Sequence, residues 1–162
     1  MSFHSDRPED LLFDAARKGD VTYIQQFIDD DLDVNIQNGK GFTPLIVAAY
    51  DGQLDATKML LDAGAYVDIQ DVSGNTALMG VCFKGYEAVA RMLIEHGANL
   101  NVQNGNGGTA LMFATLFGRN QLVRLLLDHK ADTTIRDVRG LTAYDLAIQQ
   151  GNEEALQLLT QG

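Results

Sequence analysis

The feature that most constrains the fold of this chain is a repeat with a period of 33 residues. When the 162-residue sequence is slid along itself by that length, residues of one type fall on each other over most of the chain. Five such series hold the same period, which is too regular to arise by chance. The series are Gly41, Gly74, Gly107 and Gly140; Thr43, Thr76, Thr109 and Thr142; Gly19, Gly52, Gly85, Gly118 and Gly151; Leu12, Leu45, Leu78 and Leu111; and Phe27, Leu60, Leu93, Leu126 and Leu159.

Each unit of the repeat reads as a turn followed by two short helices. The stretch 71–74 begins with Asp and ends with Gly, as type I turns do. Thr76 then offers a hydroxyl to cap a helix, and Gly85 ends that helix by adopting a left-handed conformation. A second apolar run, 89–94, precedes Gly97, which ends the second helix in the same way. One such helix pair buries too little surface to be stable alone, so the units must stack.

A 33-residue unit of turn, helix and helix, with Thr-Pro-Leu or Thr-Ala-Leu at the start of the first helix, resembles the ankyrin repeat. The resemblance covers about residues 10–161. It implies an all-α ankyrin-repeat solenoid of stacked helix-turn-helix units whose tips are β-turn hairpins. In the usual unit a histidine follows Thr-Pro-Leu, and here apolar packing is expected instead at most of these positions. They hold Ile46, Met79, Met112 and Asp145. The Thr-Ala-Leu-Met units resemble those of bacterial ankyrin proteins.

The repeat predicts a single, stand-alone domain over residues 1–162, with five units that include two caps. The terminal units are degenerate and more polar, as the exposed ends of a stack require. In the first unit Asp10 replaces the capping threonine and Asp31 replaces the second glycine. The fourth unit is a full repeat that departs at one place, where Lys130 stands at the position of Gly64 and Gly97. The predicted parts are a polar lead-in (1–9), an N-terminal cap repeat (10–37), three full repeats (38–70, 71–103 and 104–136) and a C-terminal cap repeat (137–162).

Composition and charge argue against several classes of partner. The formal net charge is −10, so nucleic acids and anionic membranes should repel the chain. No apolar run approaches the length of a transmembrane helix, and the first residues lack a secretory signal. A single cysteine, Cys82, cannot form an internal disulfide. We therefore expect a cytoplasmic protein with neither a nucleic-acid nor a membrane partner.

The sequence offers little support for catalysis or for a cofactor. His96 and His129 occupy the same place in successive units, too far apart to share a metal without rearrangement. Cys82 falls in a small, inward-facing position, where a buried thiol is expected. The aspartates of the stretch 29–33 do not match the spacing of a calcium loop. We expect no enzymatic activity, no cofactor and no metal; a metal-dependent or enzymatic activity based on the two histidines and the aspartates is the alternative.

The resemblance implies that a partner docks on the concave side, which the turn tips and the ends of the first helices form. There, three central units present what we call the apolar ladder, large groups just before a turn glycine. The ladder consists of Tyr50, Phe83, Leu116 and Phe117. Lys84 lies beside it, and the turn tips add Lys40, Phe42, Val72, Asn75, Val138, Arg139 and Leu141.

These residues predict a non-enzymatic scaffold that binds a protein partner through its concave face. The charge is uneven along the chain and would orient such a partner. Residues 1–37 hold nine acidic and three basic side chains, whereas residues 104–139 hold three acidic and five basic ones. The alternative is self-association of the ladder into a homodimer, so that the protein would be a monomer or a weak homo-oligomer.

Overall fold

The chain folds into a row of five helix pairs, described over residues 7–161 in a computed structural model. Within this range there are ten helices and no strand. The pairs are α1 (Pro8–Lys18) with α2 (Val21–Asp29), α3 (Pro44–Tyr50) with α4 (Leu54–Asp62), α5 (Ala77–Lys84) with α6 (Glu87–Glu95), α7 (Ala110–Leu116) with α8 (Asn120–Asp128), and α9 (Ala143–Gln150) with α10 (Glu153–Thr160). The predicted all-α repeat solenoid is confirmed.

The helices form two layers with the core between them. The first helices of successive pairs pack side by side from α1 to α9, and the second helices do so from α2 to α10. The leucine series of the first helices and the apolar series of the second helices are buried in the four units before the last. The period of the sequence is therefore the period of the core.

Threonine hydroxyls start four of the first helices, as predicted. Thr43, Thr76, Thr109 and Thr142 each accept a hydrogen bond from the backbone N–H three residues ahead. Helix α1 differs, because it begins at Pro8, inside the predicted lead-in, and Arg7 precedes it without a capping side chain. Asp10 lies in the first turn of α1 and does not cap it. Residues 1–6 of the predicted lead-in, and residue 162, lie outside the described range.

The turn tips share one hydrogen-bonding pattern that the sequence reading did not anticipate. In each tip an Asn or Asp oxygen accepts the backbone N–H groups two and four residues ahead. These residues are Asn38, Asp71, Asn104 and Asp137. Neighbouring tips are joined by the backbone, since the N–H of Gly105 donates to the Ser73 carbonyl oxygen at 2.9 Å. The same bond joins Val72 to Lys40 and Val138 to Asn106.

A row of glutamines adds a second link between units. The Nε2 atom of Gln70 donates to the Gly74 carbonyl oxygen in its own tip and to the Gln103 carbonyl oxygen in the next unit, at 2.8 and 3.2 Å. Gln37 and Gln103 make the equivalent pairs of bonds. Arg136 ends the row with a bond to Gly140. The stack therefore has a polar network along its tips.

Two units end their second helix with a non-glycine residue in the left-handed region. Asp31 has φ of 59° and Lys130 has φ of 68°, the two positive φ values outside glycine among residues 7–161. Both side chains occupy the position of Gly64 and Gly97 in the intervening units. Left-handed backbone costs an L-residue about 1 kcal/mol, so these two ends hold conformational strain.

We expect Lys130→Gly to raise the free energy of unfolding by about 1 kcal/mol, because glycine adopts the left-handed conformation without the Cβ clash. Urea titration followed by circular dichroism measures the change. The matched control is Gly97→Lys, which places the same side chain at the same position one unit earlier, where nothing lies within 4 Å of an added Cβ. Gly97→Lys should lower the free energy of unfolding by about the amount by which Lys130→Gly raises it. Equal stability of the two variants and the unmodified chain would contradict the explanation.

Thr57 in α4 is fully buried, and its hydroxyl has no hydrogen-bond partner among the described residues. Replacing it with the isosteric valine should raise the free energy of unfolding by about 1 kcal/mol, because an unpaired buried hydroxyl is removed. Thr115 is equally buried, but its hydroxyl donates to the Leu111 carbonyl oxygen at 2.8 Å. Thermal melts should therefore give Thr57→Val a higher melting temperature than Thr115→Val. A stabilised Thr115→Val with an unchanged Thr57→Val would refute the argument.

Candidate functional site

The apolar ladder forms a continuous row of rings across the ends of three first helices. The rings of Tyr50 and Phe83 are parallel within 1°, with centroids 6.4 Å apart. Phe83 meets Phe117 edge to face, at 4.7 Å and 85°. Each contact joins one unit to the next, because Tyr50 ends α3, Phe83 lies in the last turn of α5 and Phe117 follows α7. Such pairs add about 0.5–1.5 kcal/mol beyond their buried area, so the ladder also holds the units in register.

The ladder is partly open to solvent. Tyr50 is 40% exposed and Phe117 is 43% exposed, while Phe83 and Leu116 are half-buried. Phe113, which its register places in the core, is also half-buried and stacks on Phe117 at 6.4 Å. The apolar surface is therefore wider than the sequence predicts and extends one helical turn along α7.

Lys84 lies over the ladder. Its Nζ atom is 4.7 Å from the centroid of the Tyr50 ring, within the range of a cation–π contact. The contact crosses from α5 to α3 and keeps the ammonium group beside the exposed ring. This end of the ladder therefore combines aromatic surface with a positive charge.

A cavity of about 860 Å³ opens beside Tyr50, between the first helices and two turn tips. Gly80 lines it, in the middle of α5, where neighbouring units carry Val47 and Phe113. A Cβ atom at Gly80 would lie 3.1 Å from the Tyr50 ring, so the glycine lets the ring lie close to α5. Glycine in the interior of a helix lowers stability by about 0.5–1 kcal/mol relative to alanine. In the sequence, the only sign of this cavity is that Gly80 stands at a position where the neighbouring units carry the larger Val47 and Phe113.

The predicted tip residues fall into two groups. Val72 and Val138 are 76% and 72% exposed, and Lys40 and Arg139 are exposed as well. The other three are half-buried. Two of them, Phe42 and Leu141, pack against the core. The third, Asn75, accepts a hydrogen bond from the side chain of Asn104 in the next tip at 2.8 Å.

A second cavity of about 390 Å³ lies at the other end of the ladder. Phe113, Leu116, Val138 and Arg139 line part of it. Arg139 pairs with Asp137 at 2.9 Å. Although desolvation favours the neutral carboxyl, hydrogen bonds from Leu141 and Arg139 hold the pKa of Asp137 below its usual value. The two cavities thus flank the ladder on the same side of the stack, and each holds a basic side chain from a tip.

The candidate groups for chemistry do not converge in the described part of the chain. His96 contacts Asp62 at 3.3 Å through Nε2, whereas Nδ1 of His129 faces the Leu125 carbonyl oxygen at 2.9 Å. Hydrogen bonds from Lys58 and His96 lower the pKa of Asp62. Burial raises the pKa of the Cys82 thiol to about 12, so the thiolate is not available as a nucleophile at neutral pH. Between residues 7 and 161, no three His, Cys, Asp or Glu side chains are grouped as metal ligands.

None of the helices between residues 7 and 161 is both long enough and apolar enough to cross a membrane. The longest, α1, has 11 residues, whereas a spanning helix needs about 20.

Comparison with known proteins identifies the repeat. A family model described as ankyrin repeats (3 copies) matches residues 12–104, and one described as ankyrin repeats (many copies) matches residues 93–147. No curated protein matches the chain. The matches coincide with the helix pairs and tips that carry the ladder and both cavities.

Proposed function

The chain belongs to the ankyrin repeat family, whose repeats generally mediate protein–protein interaction, and we propose that it is a non-enzymatic scaffold that binds a protein partner on its concave face. The binding face consists of the apolar ladder, the exposed tip residues and the two cavities between them. The tips and first helices supply all of these groups, so one side of the stack presents them together.

The observation that supports this proposal most strongly is the exposure of the ladder together with Val72 and Val138. Large aromatic groups at the edge of a cavity are typical anchors of protein interfaces, and the two exposed valines extend the apolar surface beside them. Single exposed apolar residues are common on proteins, but a stacked row across three units is not.

The charge distribution supports a defined orientation of the partner. The first 37 residues are strongly acidic, whereas residues 104–139 carry more basic than acidic side chains. A partner with the opposite asymmetry would be attracted in one direction along the stack. The effect depends on ionic strength, because exposed charges are screened beyond about 8 Å at physiological salt.

The proposal is tested with the double variant Val72→Glu/Val138→Glu, immobilised and exposed to lysate of the source cells. Both side chains are exposed, so the changes should leave the fold intact while placing charge on the face. We expect the variant to lose at least one protein, identified by mass spectrometry, that the unmodified chain retains. The matched control is Tyr66→Glu, since Tyr66 is 69% exposed but lines neither cavity.

Capture of the same proteins by the double variant and the unmodified chain would show that this face is not the binding surface. Light scattering over a concentration series separates self-association. If the unmodified chain forms a dimer that the double variant does not form, the face binds a second copy of the chain and not another protein.

A further inference from the structure

Three asparagines of the turn tips are each followed by glycine. The pairs are Asn38–Gly39, Asn104–Gly105 and Asn106–Gly107. An asparagine side chain is chemically labile in this setting, because glycine has no Cβ atom to hinder attack by its own backbone nitrogen on the side-chain amide. The hydrogen bonds of the folded tips differ among the three pairs, so the fold decides which of them reacts.

The attacking nitrogen is engaged in a hydrogen bond in two of the pairs. The Gly105 N–H donates to the Ser73 carbonyl oxygen and the Gly107 N–H donates to the Asn104 carbonyl oxygen, each at 2.9 Å. The Gly39 N–H has no hydrogen-bond partner in the part of the chain that the structure describes, and nothing lies within 4 Å of a Cβ atom added there. Among the three, the Gly39 nitrogen is therefore the one that can lose its proton and attack without first breaking a bond of the fold.

The amide of Asn38 is also arranged for this attack. Its Oδ1 atom accepts the N–H groups of Lys40 and Phe42, both at 3.0 Å. These donors lie at the oxygen that gains negative charge when a nitrogen adds to Cγ, as the donors of an oxyanion hole do. The Nδ2 atom of Asn38, which would leave, has no partner between residues 7 and 161, whereas Nδ2 of Asn104 donates to Asn75 at 2.8 Å. Asn38 thus combines a free attacking nitrogen, a polarised carbonyl group and an open leaving group.

We infer that Asn38 is a site of spontaneous deamidation, at which the folded tip permits the conversion of the side-chain amide to a carboxylate. The Gly39 nitrogen forms a bond to Cγ of Asn38 and gives up its proton. The bond from Cγ to Nδ2 breaks, and the amide nitrogen leaves with that proton as ammonia. Water then opens the succinimide ring. Attack of water at Cγ gives aspartate, and attack at the backbone carbonyl gives isoaspartate, which lengthens the backbone and changes the charge as well.

The aspartate product is compatible with the tip. Asp71 and Asp137 hold the position of Asn38 in their own tips, and their Oδ1 atoms accept the N–H groups two and four residues ahead in the same way. Both Asn38 and Gly39 line the larger cavity. Deamidation therefore adds a negative charge to the wall of that cavity, and this charge accumulates with the age of the protein. The reaction needs no partner, so it stands apart from the proposed function.

The test is peptide mapping by mass spectrometry after incubation of the protein in mildly alkaline buffer, both folded and unfolded in urea. In urea the three asparagines should lose ammonia at similar rates, because the bonds of the tips are absent. In the folded chain Asn38 should react first. Asn104 and Asn106 should be slower by about tenfold or more, since the bond to the attacking nitrogen must open before they react. No reaction at Asn38 in the folded chain, or an equal rate at Asn104 or Asn106, would overturn the inference.

Three variants test the mechanism and the product. Gly39→Pro removes the attacking N–H at the second position of a turn, where proline is favoured and where no bond of the fold is lost. Asn38 should then keep its amide, and continued loss of ammonia would overturn the mechanism. Gly39→Ala keeps the N–H but hinders its attack, and nothing surrounds the added methyl group, so the reaction should slow in a protein of unchanged fold. Asn38→Asp should melt at the temperature of the unmodified chain, and a lower melting temperature would show that the product does not fit the tip.

Discussion

Replacing Leu93 with alanine should lower the free energy of unfolding by about 3 kcal/mol. Leu93 is fully buried in α6, in the middle of the stack, and units lie on both sides of it. Leucine-to-alanine changes in cores cost about 2–5 kcal/mol, since the transfer energy and the energy of the remaining cavity add. Neighbouring helices are held by the tips and by each other, so the site has little freedom to collapse.

The matched control is Leu159→Ala, because Leu159 holds the same position in the last unit but is half-buried. Leu159→Ala should lower the free energy of unfolding by about 1 kcal/mol, because only part of this side chain lies in an apolar environment. Chemical denaturation of both variants beside the unmodified chain measures the difference. If the two variants lost equal stability, neighbouring units would not be the source of the burial energy.

Replacing Gly74 with alanine should lower the free energy of unfolding by about 3 kcal/mol, a large effect for one methyl group at a turn. Gly74 has φ of +84°, and its added Cβ would lie 2.8 Å from the Gly105 nitrogen and 3.0 Å from the Asn104 Cα atom. The left-handed backbone costs alanine about 1 kcal/mol. The contact with backbone atoms cannot be relieved by a side-chain rotation, so the two tips must move apart and the Ser73–Gly105 bond is weakened.

Gly97→Ala separates the two causes. Gly97 has φ of +90°, close to that of Gly74, but nothing lies within 4 Å of its added Cβ. It should therefore show the conformational cost alone, about 1 kcal/mol. Thermal melts of both variants compare them, and hydrogen exchange at Gly105 reports the tip contact directly. Equal melting temperatures would mean that the contact between tips contributes nothing to stability.

The periodic part of this architecture could be read from the sequence. The threonine caps, the glycine ends of the helices and the two buried apolar series each repeat every 33 residues, and each has a physical reason to do so. The N-terminal cap repeat was harder to predict from the sequence, because its first helix starts at Pro8 and uses no capping threonine. A single degenerate unit gives no second copy against which to check its register.

The site was only partly predictable. The positions of the ladder followed from the register, but exposure depends on how far neighbouring rings cover one another. Gly80 shows the difficulty: its effect is to admit the Tyr50 ring from the previous unit, which no local pattern reveals. The glutamine row was visible as a 33-residue series, yet its role depends on carbonyl groups in two units and therefore on the stacked structure.

The stacking of the units also gives the side formed by the tips and the first helices a length scale. Packed helices lie about 8–10 Å apart, and an extended chain advances about 3.3 Å per residue. One unit of the stack thus corresponds to about three residues of any segment that lay extended along it. A partner matched to several units would tolerate the insertion of three residues between two anchors, which shifts the next anchor by one unit. Insertion of one or two residues into the partner would instead place every later anchor residue between the binding positions of two units.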